Sequence, residues 1–217
     1  MTLDLFPADA PDLEDEVLDA GAVVLRGFAC PREALLKDDV ARVAAAAPFR
    51  HLVTPGGFRM SVAMTNCGEL GWVSDRRGYR YDPVDPESGE RWPALPESFR
   101  ALARDAAARA GYADFAPDAC LINRYAPGAR LSLHQDRDEK DLRAPIVSVS
   151  LGLPAVFLWG GDDRAAKARR IALHHGDVVV WGGPSRLRFH GVLALKDGEH
   201  AFAGAHRINI TFRKVRP

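Results

Sequence analysis

The chain has 217 residues, and 29 lysines and arginines balance 29 aspartates and glutamates, so no global field draws it onto nucleic acid or a membrane. A nucleic-acid role would have to rest on a local basic patch, and the length suits one domain, 1–217, with a full core. Cys30, Cys67 and Cys120 include no CxxC pair, and there is neither a basic-then-apolar leader nor an apolar run of roughly 18 residues. A disulfide framework, zinc ribbon, signal peptide and membrane span are therefore not expected, and the cytoplasm is the expected compartment.

In chain order, residues 1–20 are acidic and contain proline, and read as an irregular arm with a short helix at 12–20. Residues 21–28 read as a buried strand bounded by glycines. Residues 32–46, rich in Ala, Leu and Val at helical spacing and stopped before Pro48, read as a helix. These elements make 1–50 an arm, a strand and a helix. A short strand is expected at 58–65. From 66 to 95 the texture changes to Gly, Pro, Asp and Arg with little periodicity. Trp72, Tyr79, Tyr81 and Trp92 argue against simple disorder there, so 51–95 reads as a region holding a substrate-covering lid. Pro96-Glu97-Ser98 then opens a second helix that runs to about Ala110 and stops at Gly111.

After Asp118 the chain is mainly β. A strand at Ala119–Tyr125, a Pro127-Gly128 turn and a strand ending in His134-Gln135-Asp136 are followed by strands at 146–151, Ala155–Trp159, 170–174, Val178–Trp181, 189–195 and 208–213. Short strands with glycine-rich turns suggest an antiparallel sandwich or jelly roll with the helices packed on one sheet. The fold class is mainly β with flanking helices (α+β), and 96–217 holds one helix and the jelly-roll core.

Side chains two apart on a strand share a face, so His134 and Asp136 can aim an imidazole and a carboxylate at one point. That is two thirds of the open three-ligand facial arrangement of non-haem Fe(II) oxygenases. A third ligand must be a distant histidine. His174 and His175 lie in a turn, His174-His175-Gly176-Asp177, and both are expected in solvent. His190 starts a strand and precedes Gly191, which leaves room for close approach; a half-buried histidine bonded to a backbone carbonyl would read the same way. On the last strand Ile208, Ile210 and Phe212 share one face, and Arg207, Asn209, Thr211 and Arg213 the other. The polar face is either an ordinary solvated surface or the lining of a lumen. In a lumen the two arginines need anionic partners, and standing ~20 Å apart on an extended strand they would bracket a short dicarboxylate. Asn123 and Tyr125, alternate residues on the strand that leads to His134, add uncharged donors.

Taken together, Asn-x-Tyr-x-Pro-Gly at 123–128, His-x-Asp at 134–136, His190 and Arg-x-Asn-x-Thr-x-Arg at 207–213 resemble the AlkB-type alkylation-repair dioxygenases. Met64-Thr65-Asn66-Cys67-Gly68, Gly71-Trp72 and His175-Gly176-Asp177-Val178-Val179-Val180-Trp181-Gly182-Gly183 extend the resemblance from about residue 54 to 213. It implies a double-stranded β-helix (jelly roll) with a nucleotide-recognition lid, using Fe(II), 2-oxoglutarate and O2. His134, Asp136 and His190 would ligate iron, the catalytic centre. Asn123, Tyr125, Arg207, Asn209 and Arg213 would hold 2-oxoglutarate.

The implied activity is oxidative demethylation of N-alkylated bases, such as 1-methyladenine and 3-methylcytosine, in single-stranded or base-flipped DNA, with RNA as a second candidate. The products would be succinate, CO2 and formaldehyde. Trp72 would stack on the flipped base opposite His134, or else anchor the lid. Tyr79, beside Arg76, Arg77 and Arg80, would contact phosphates. Asp138, two residues past Asp136, would favour a cationic base, and Arg164 matches a base-contacting arginine. Phe58 stands where the family pattern has tyrosine, which removes a hydroxyl contact to a phosphate. No obligate protein partner is evident, and a monomer is expected. Two other functions fit parts of the chain. One is an Fe(II)/2-oxoglutarate hydroxylase of a protein or small molecule, which would not need an aromatic, arginine-bearing lid. The other is a metal-free or zinc-bound jelly-roll binding module, which would not need an intact triad and an inward arginine strand.

Overall fold

The structure is a computed structural model and describes residues 14–217. Its elements are β1 (Glu16–Asp19), β2 (Ala22–Leu25), α1 (Glu33–Ala46), β3 (Ala63–Gly68), β4 (Gly71–Asp75), β5 (Gly78–Asp82), α2 (Glu97–Arg109), β6 (Ala119–Tyr125), β7 (Leu131–His134), β8 (Ile146–Gly152), β9 (Ala155–Trp159), β10 (Arg169–Leu173), β11 (Val178–Trp181), β12 (His190–Val192) and β13 (Arg207–Arg213). A seven-stranded sheet in the order β1-β2-β11-β8-β13-β6-β3 faces a four-stranded sheet in the order β10-β9-β12-β7, and β4 and β5 form a separate hairpin. The strand pairs within these sheets are antiparallel. This is the jelly roll expected from the strand spacing.

Two apolar layers sandwich the large sheet. On its outer side Leu36, Val40 and Val43 of α1 and Phe99, Leu102 and Ala106 of α2 pack against Val147, Val149, Ile210 and Phe212. On its inner side Leu121, Tyr125, Ile146, Val179 and Trp181 meet Phe157, Trp159, Ile171 and Leu173 of the small sheet. The two-residue alternation of β13 therefore resolves as a core question: Ile208, Ile210 and Phe212 go to the helices, and Arg207, Asn209, Thr211 and Arg213 turn into the space between the sheets. Both helices stop where the sequence says they should. The amide of Gly111, at φ +87°, donates to the Ala108 carbonyl and the amide of Tyr112 to that of Ala107, the paired closure of a helix end on glycine.

Three expectations are corrected. Residues 16–19, placed in a helix at 12–20, form β1 instead, because Glu16 and Val17 pair with Val24 and Val23 and the turn at Gly21 folds them back. Strand pairing has overridden local propensity there; Asp12 lies outside the described residues. The strand expected at 58–65 lies further on, at Ala63–Gly68, because 54–58 is a tight turn in which Thr54 and Phe58 exchange hydrogen bonds. Finally, 66–95 is less irregular than its composition suggests. Its charged residues hide a hairpin, with Trp72 opposite Tyr81 and Asp75 opposite Gly78 across a two-residue Arg76-Arg77 turn.

Candidate active site

The residues singled out in sequence converge because three strands deliver them. Across the Pro127-Gly128 corner the Ala129 amide donates to the Ala126 carbonyl at 2.9 Å with Gly128 at φ +82°, the geometry of a type II turn. This corner carries the chain from β6 into β7. β7 ends at His134, two residues earlier than expected, and Asp136 follows just beyond it. His134 lies directly opposite His190 of β12, and a register shift between His190 and Val192 marks the neighbouring step. A Cβ at Gly191 would come within 2.7 Å of the Leu131 carbonyl oxygen, so the glycine after His190 allows β12 to lie this close to β7.

His134, Asp136 and His190 bring their ligating atoms within 4.8 Å of one another. Nε2 of His134 is 3.6 Å from one Asp136 oxygen, and Nε2 of His190 is 3.9 Å from the other. Each imidazole is oriented from behind, with Nδ1 of His134 2.9 Å from the Ser132 carbonyl and Nδ1 of His190 3.0 Å from the Arg188 carbonyl. A ring nitrogen facing a carbonyl carries the proton, which leaves the Nε2 lone pairs for the shared point. Burial and the neighbouring His134 push His190 down to about 4, so its neutral, ligating form prevails. Burial alone would raise Asp136, but the Arg213 guanidinium beside it outweighs burial and holds the carboxyl well below the usual range. Two neutral imidazoles and a carboxylate on one point, open on the remaining sides, suit a divalent iron.

Arg213 donates to a single Asp136 oxygen from Nε and Nη2 at 2.8 and 2.6 Å. At the other end of the polar face, Arg207 is 1% exposed, lies 5.0 Å over the Tyr125 ring and donates to the Ser150 hydroxyl at 2.9 Å. Its Nε and Nη1 are buried with no partner among the described residues, and burial lowers its pKa. An unpaired guanidinium edge in a buried site calls for an anion. Asn209 donates to the Ser148 hydroxyl and accepts from Asn123 at 3.3 Å. Asn123 is buried on β6 and is not a turn residue. Asn123, Tyr125, Arg207, Asn209 and Arg213, with the triad, line one cavity of about 960 Å³.

The other wall of the cavity is the hairpin. Trp72 stacks on Tyr79 with ring centroids 5.6 Å apart and planes 14° apart, and its indole N–H donates to Asp138 at 3.0 Å. Asp138 is exposed at the rim and tied to Trp72 rather than loose in the charged run around it. Arg164 is exposed on the loop between β9 and β10 and also lines the cavity, as does Phe58, whose ring is 77% exposed. The structure thus gathers all twelve of the singled-out residues in this one cavity. It corrects the histidine turn: His174 is exposed, but the His175 side chain is only 14% exposed, accepts from the Gly152 amide and faces Glu33. Glu139 and Arg186 were missed. Both are buried and bonded to each other at 3.1 Å, yet in sequence Glu139 reads as one more residue of a solvated run.

A jelly roll that closes two histidines and an aspartate over an arginine-lined floor defines a non-haem iron oxygenase with an anionic cosubstrate. The chain belongs to the 2OG-Fe(II) oxygenase superfamily, whose family model matches residues 21–213. It is 61% identical over 213 residues to the alpha-ketoglutarate-dependent dioxygenase AlkB of Salmonella typhimurium and 60% identical to that of Escherichia coli, with 98% of each chain covered in both cases. A solved structure of OsALKBH1 superposes with a TM-score of 0.81 at 29% identity, covering 93% of this chain and all of that one. The chain is therefore a dioxygenase whose cofactor is Fe(II) and whose cosubstrates are 2-oxoglutarate and O2. Among the described residues no helix is long and apolar enough to cross a membrane.

Proposed function

We propose that the chain removes N-linked methyl groups from bases in single-stranded or base-flipped DNA by oxidation, with RNA as a further substrate. One observation carries the reading: the His134–Asp136–His190 cluster opens into the same cavity as the Trp72–Tyr79 stack, so a planar ring held by the aromatic wall faces the metal ligands. A hydroxylase of a side chain or small aliphatic substrate has no use for that wall, and a binding module has no use for the triad.

In this reading His134, Asp136 and His190 hold iron. Arg207 grips one carboxylate of 2-oxoglutarate beside Tyr125 and Asn123. Arg213 serves the other end, and Asn209 holds the floor between them. Bound iron, 2-oxoglutarate and O2 supply the oxidant, so that one oxygen atom ends in succinate and the other on the methyl carbon, with loss of CO2. The protein residues set what that oxidant meets. Arg213 keeps Asp136 ionised, and the Ser132 and Arg188 carbonyls keep both imidazoles in the ligating tautomer. Trp72 offers a stacking face worth roughly 1–3 kcal/mol per base. Asp138 and Arg164 lie at the rim where the polar edge of the base would sit, and Tyr79 with the arginines of the hairpin turn faces the backbone phosphates. The hydroxymethyl product is a hemiaminal, whose C–N bond breaks as its hydroxyl proton is lost, giving formaldehyde and the restored base.

The reading includes one domain over 1–217, with the lid region at 51–95. It also has the chain acting in the cytoplasm as a monomer without an obligate protein partner. The test is mass spectrometry of oligonucleotides carrying 1-methyladenine, 3-methylcytosine or 3-methylthymine, in DNA and RNA, incubated with Fe(II), 2-oxoglutarate and air. Loss of 14 mass units, roughly one CH2 per lesion, is expected. Turnover of 2-oxoglutarate that no methylated oligonucleotide stimulates would contradict the reading.

A further inference from the structure

The hairpin is tied to the cosubstrate end of the site through residues that the proposed function leaves without a role. Tyr81 of β5 is the direct cross-strand partner of Trp72 on β4. Its hydroxyl donates to Oε1 of Glu139 at 2.5 Å. The same oxygen is 3.3 Å from Nε of Arg213, and Oε2 of Glu139 accepts from Arg186 at 3.1 Å. Arg186 in turn donates to the Asp136 backbone carbonyl at 2.7 Å and to that of Ala144 at 3.0 Å. The Glu139 side chain is 2% exposed and that of Arg186 4%, so these bonds are made out of water, where each weighs more.

The four charges of Asp136, Glu139, Arg186 and Arg213 sum to zero. Iron with two positive charges and 2-oxoglutarate with two negative ones therefore enter a cluster that is already balanced. Removing the Glu139 charge would leave an uncompensated buried cation. The Tyr81 hydroxyl fixes which way the Glu139 carboxylate faces, and so where the Arg213 fork rests. Meanwhile Trp72, across the hairpin from Tyr81, is held by Asp138. Both strands of the hairpin are thus fastened to the single segment 136–139, one to Asp138 and one to Glu139.

We propose that Tyr81 and Glu139 are positioning residues that make seating of the lid hairpin and binding of 2-oxoglutarate at Arg213 depend on one another. The inference rests on the assignment of Arg213 to the cosubstrate given above. A base that draws on Trp72 moves the hairpin, and the hairpin reaches Arg213 through Tyr81 and Glu139. By linkage, each ligand then changes the affinity of the other by the same factor.

The test uses the full chain without oxygen. Affinity for 2-oxoglutarate is read from the visible band of its Fe(II) chelate, with and without a 1-methyladenine oligonucleotide. The wild-type ratio of the two affinities is expected to differ from one by several-fold. Tyr81→Phe keeps the packing of the ring against Leu70, Ala119 and Val215 and removes only the hydroxyl. It should weaken 2-oxoglutarate by about three- to tenfold without oligonucleotide, the worth of one ordinary net hydrogen bond, and bring the ratio to one. Glu139→Gln should act in the same direction and more strongly. A wild-type ratio of one overturns the proposal, as does a Tyr81→Phe variant that loses thermal stability while both affinities stay as in wild type. Arg213→Lys separates the two readings. If it weakens 2-oxoglutarate while Tyr81→Phe does not, the coupling alone is wrong. If neither does, the Arg213 assignment is wrong as well.

Discussion

His134 and His190 face one another across β7 and β12 with ring centroids 4.4 Å apart, although they stand 56 positions apart in sequence. Two neutral imidazoles this close, with their Nδ1 atoms held by backbone carbonyls, form two of the three protein ligands of a metal site before any metal arrives. Asp136 supplies the charge.

The metal reading predicts that His134→Ala, Asp136→Ala and His190→Ala each abolish turnover and Fe(II)-dependent 2-oxoglutarate binding while the chain stays folded. His174→Ala should leave both unchanged. His175→Ala should cost about 1 kcal/mol of stability through the lost bond from the Gly152 amide, with activity retained below the melting temperature. Iron titration and thermal melts of the five variants check this. Loss of iron binding in His175→Ala with retention in His190→Ala would move the site.

Trp72→Ala should reduce repair about ten- to a hundredfold, the worth of roughly 1–3 kcal/mol of stacking. Oligonucleotide-free decarboxylation of 2-oxoglutarate should fall far less. If the two assays fall equally, Trp72 is a structural anchor.

The bond between Asp138 and the Trp72 indole allows charge to be separated from position. Bases methylated at N1 of adenine or N3 of cytosine are cationic near neutral pH, whereas 3-methylthymine is not. Asp138→Asn keeps an acceptor for the indole and removes the charge, so repair of the cationic lesions should drop relative to 3-methylthymine by about tenfold. An unmoved ratio, measured in one oligonucleotide context, would confine Asp138 to holding Trp72.

The hairpin turn carries its own pH signature. Arg80, and then the Arg77 amide, hold the half-buried Asp75 carboxyl at about 2, below its ordinary 3.8. A carboxyl whose folded pKa is lowered contributes stability that is full above the unfolded value and is lost as pH falls through the folded one. Local order at the turn should therefore persist at pH 4 and decay toward pH 2. Carbon-detected NMR of the Asp75 carboxyl should show that midpoint in wild type and a return toward 3.8 in Arg80→Ala. A wild-type midpoint near 3.8 would mean the turn is not clamped.

Much of the core was legible because its periods are plain. The alternation in 146–151 and 208–213 and the Ala/Leu spacing of 32–46 emerged as β8, β13 and α1 within one residue or so. The facing of β13 was legible only as an alternative between solvent and lumen. What settles it is that Ser148 and Ser150, the polar members of β8, meet Asn209 and Arg207 across the sheet, a fact of pairing that no single strand displays. β1 was missed because its partner β2 lies beyond a glycine turn, and the β4–β5 hairpin because its charged residues mask the alternation. Glu139 illustrates the same gap: in sequence it stands among Arg137, Asp138, Lys140 and Asp141, and only the fold turns it inward while its neighbours Asp138 and Lys140 stay in solvent.

The central claim is that one cavity couples cosubstrate oxidation to removal of a methyl group from a base. The most direct measurement is the stoichiometry of a single reaction: succinate formed, formaldehyde released and 1-methyladenine restored, each counted in one sample at limiting oligonucleotide. Equal amounts of all three, each abolished together in His190→Ala, are the predicted result. Succinate without formaldehyde, or formaldehyde without restored adenine, would contradict it.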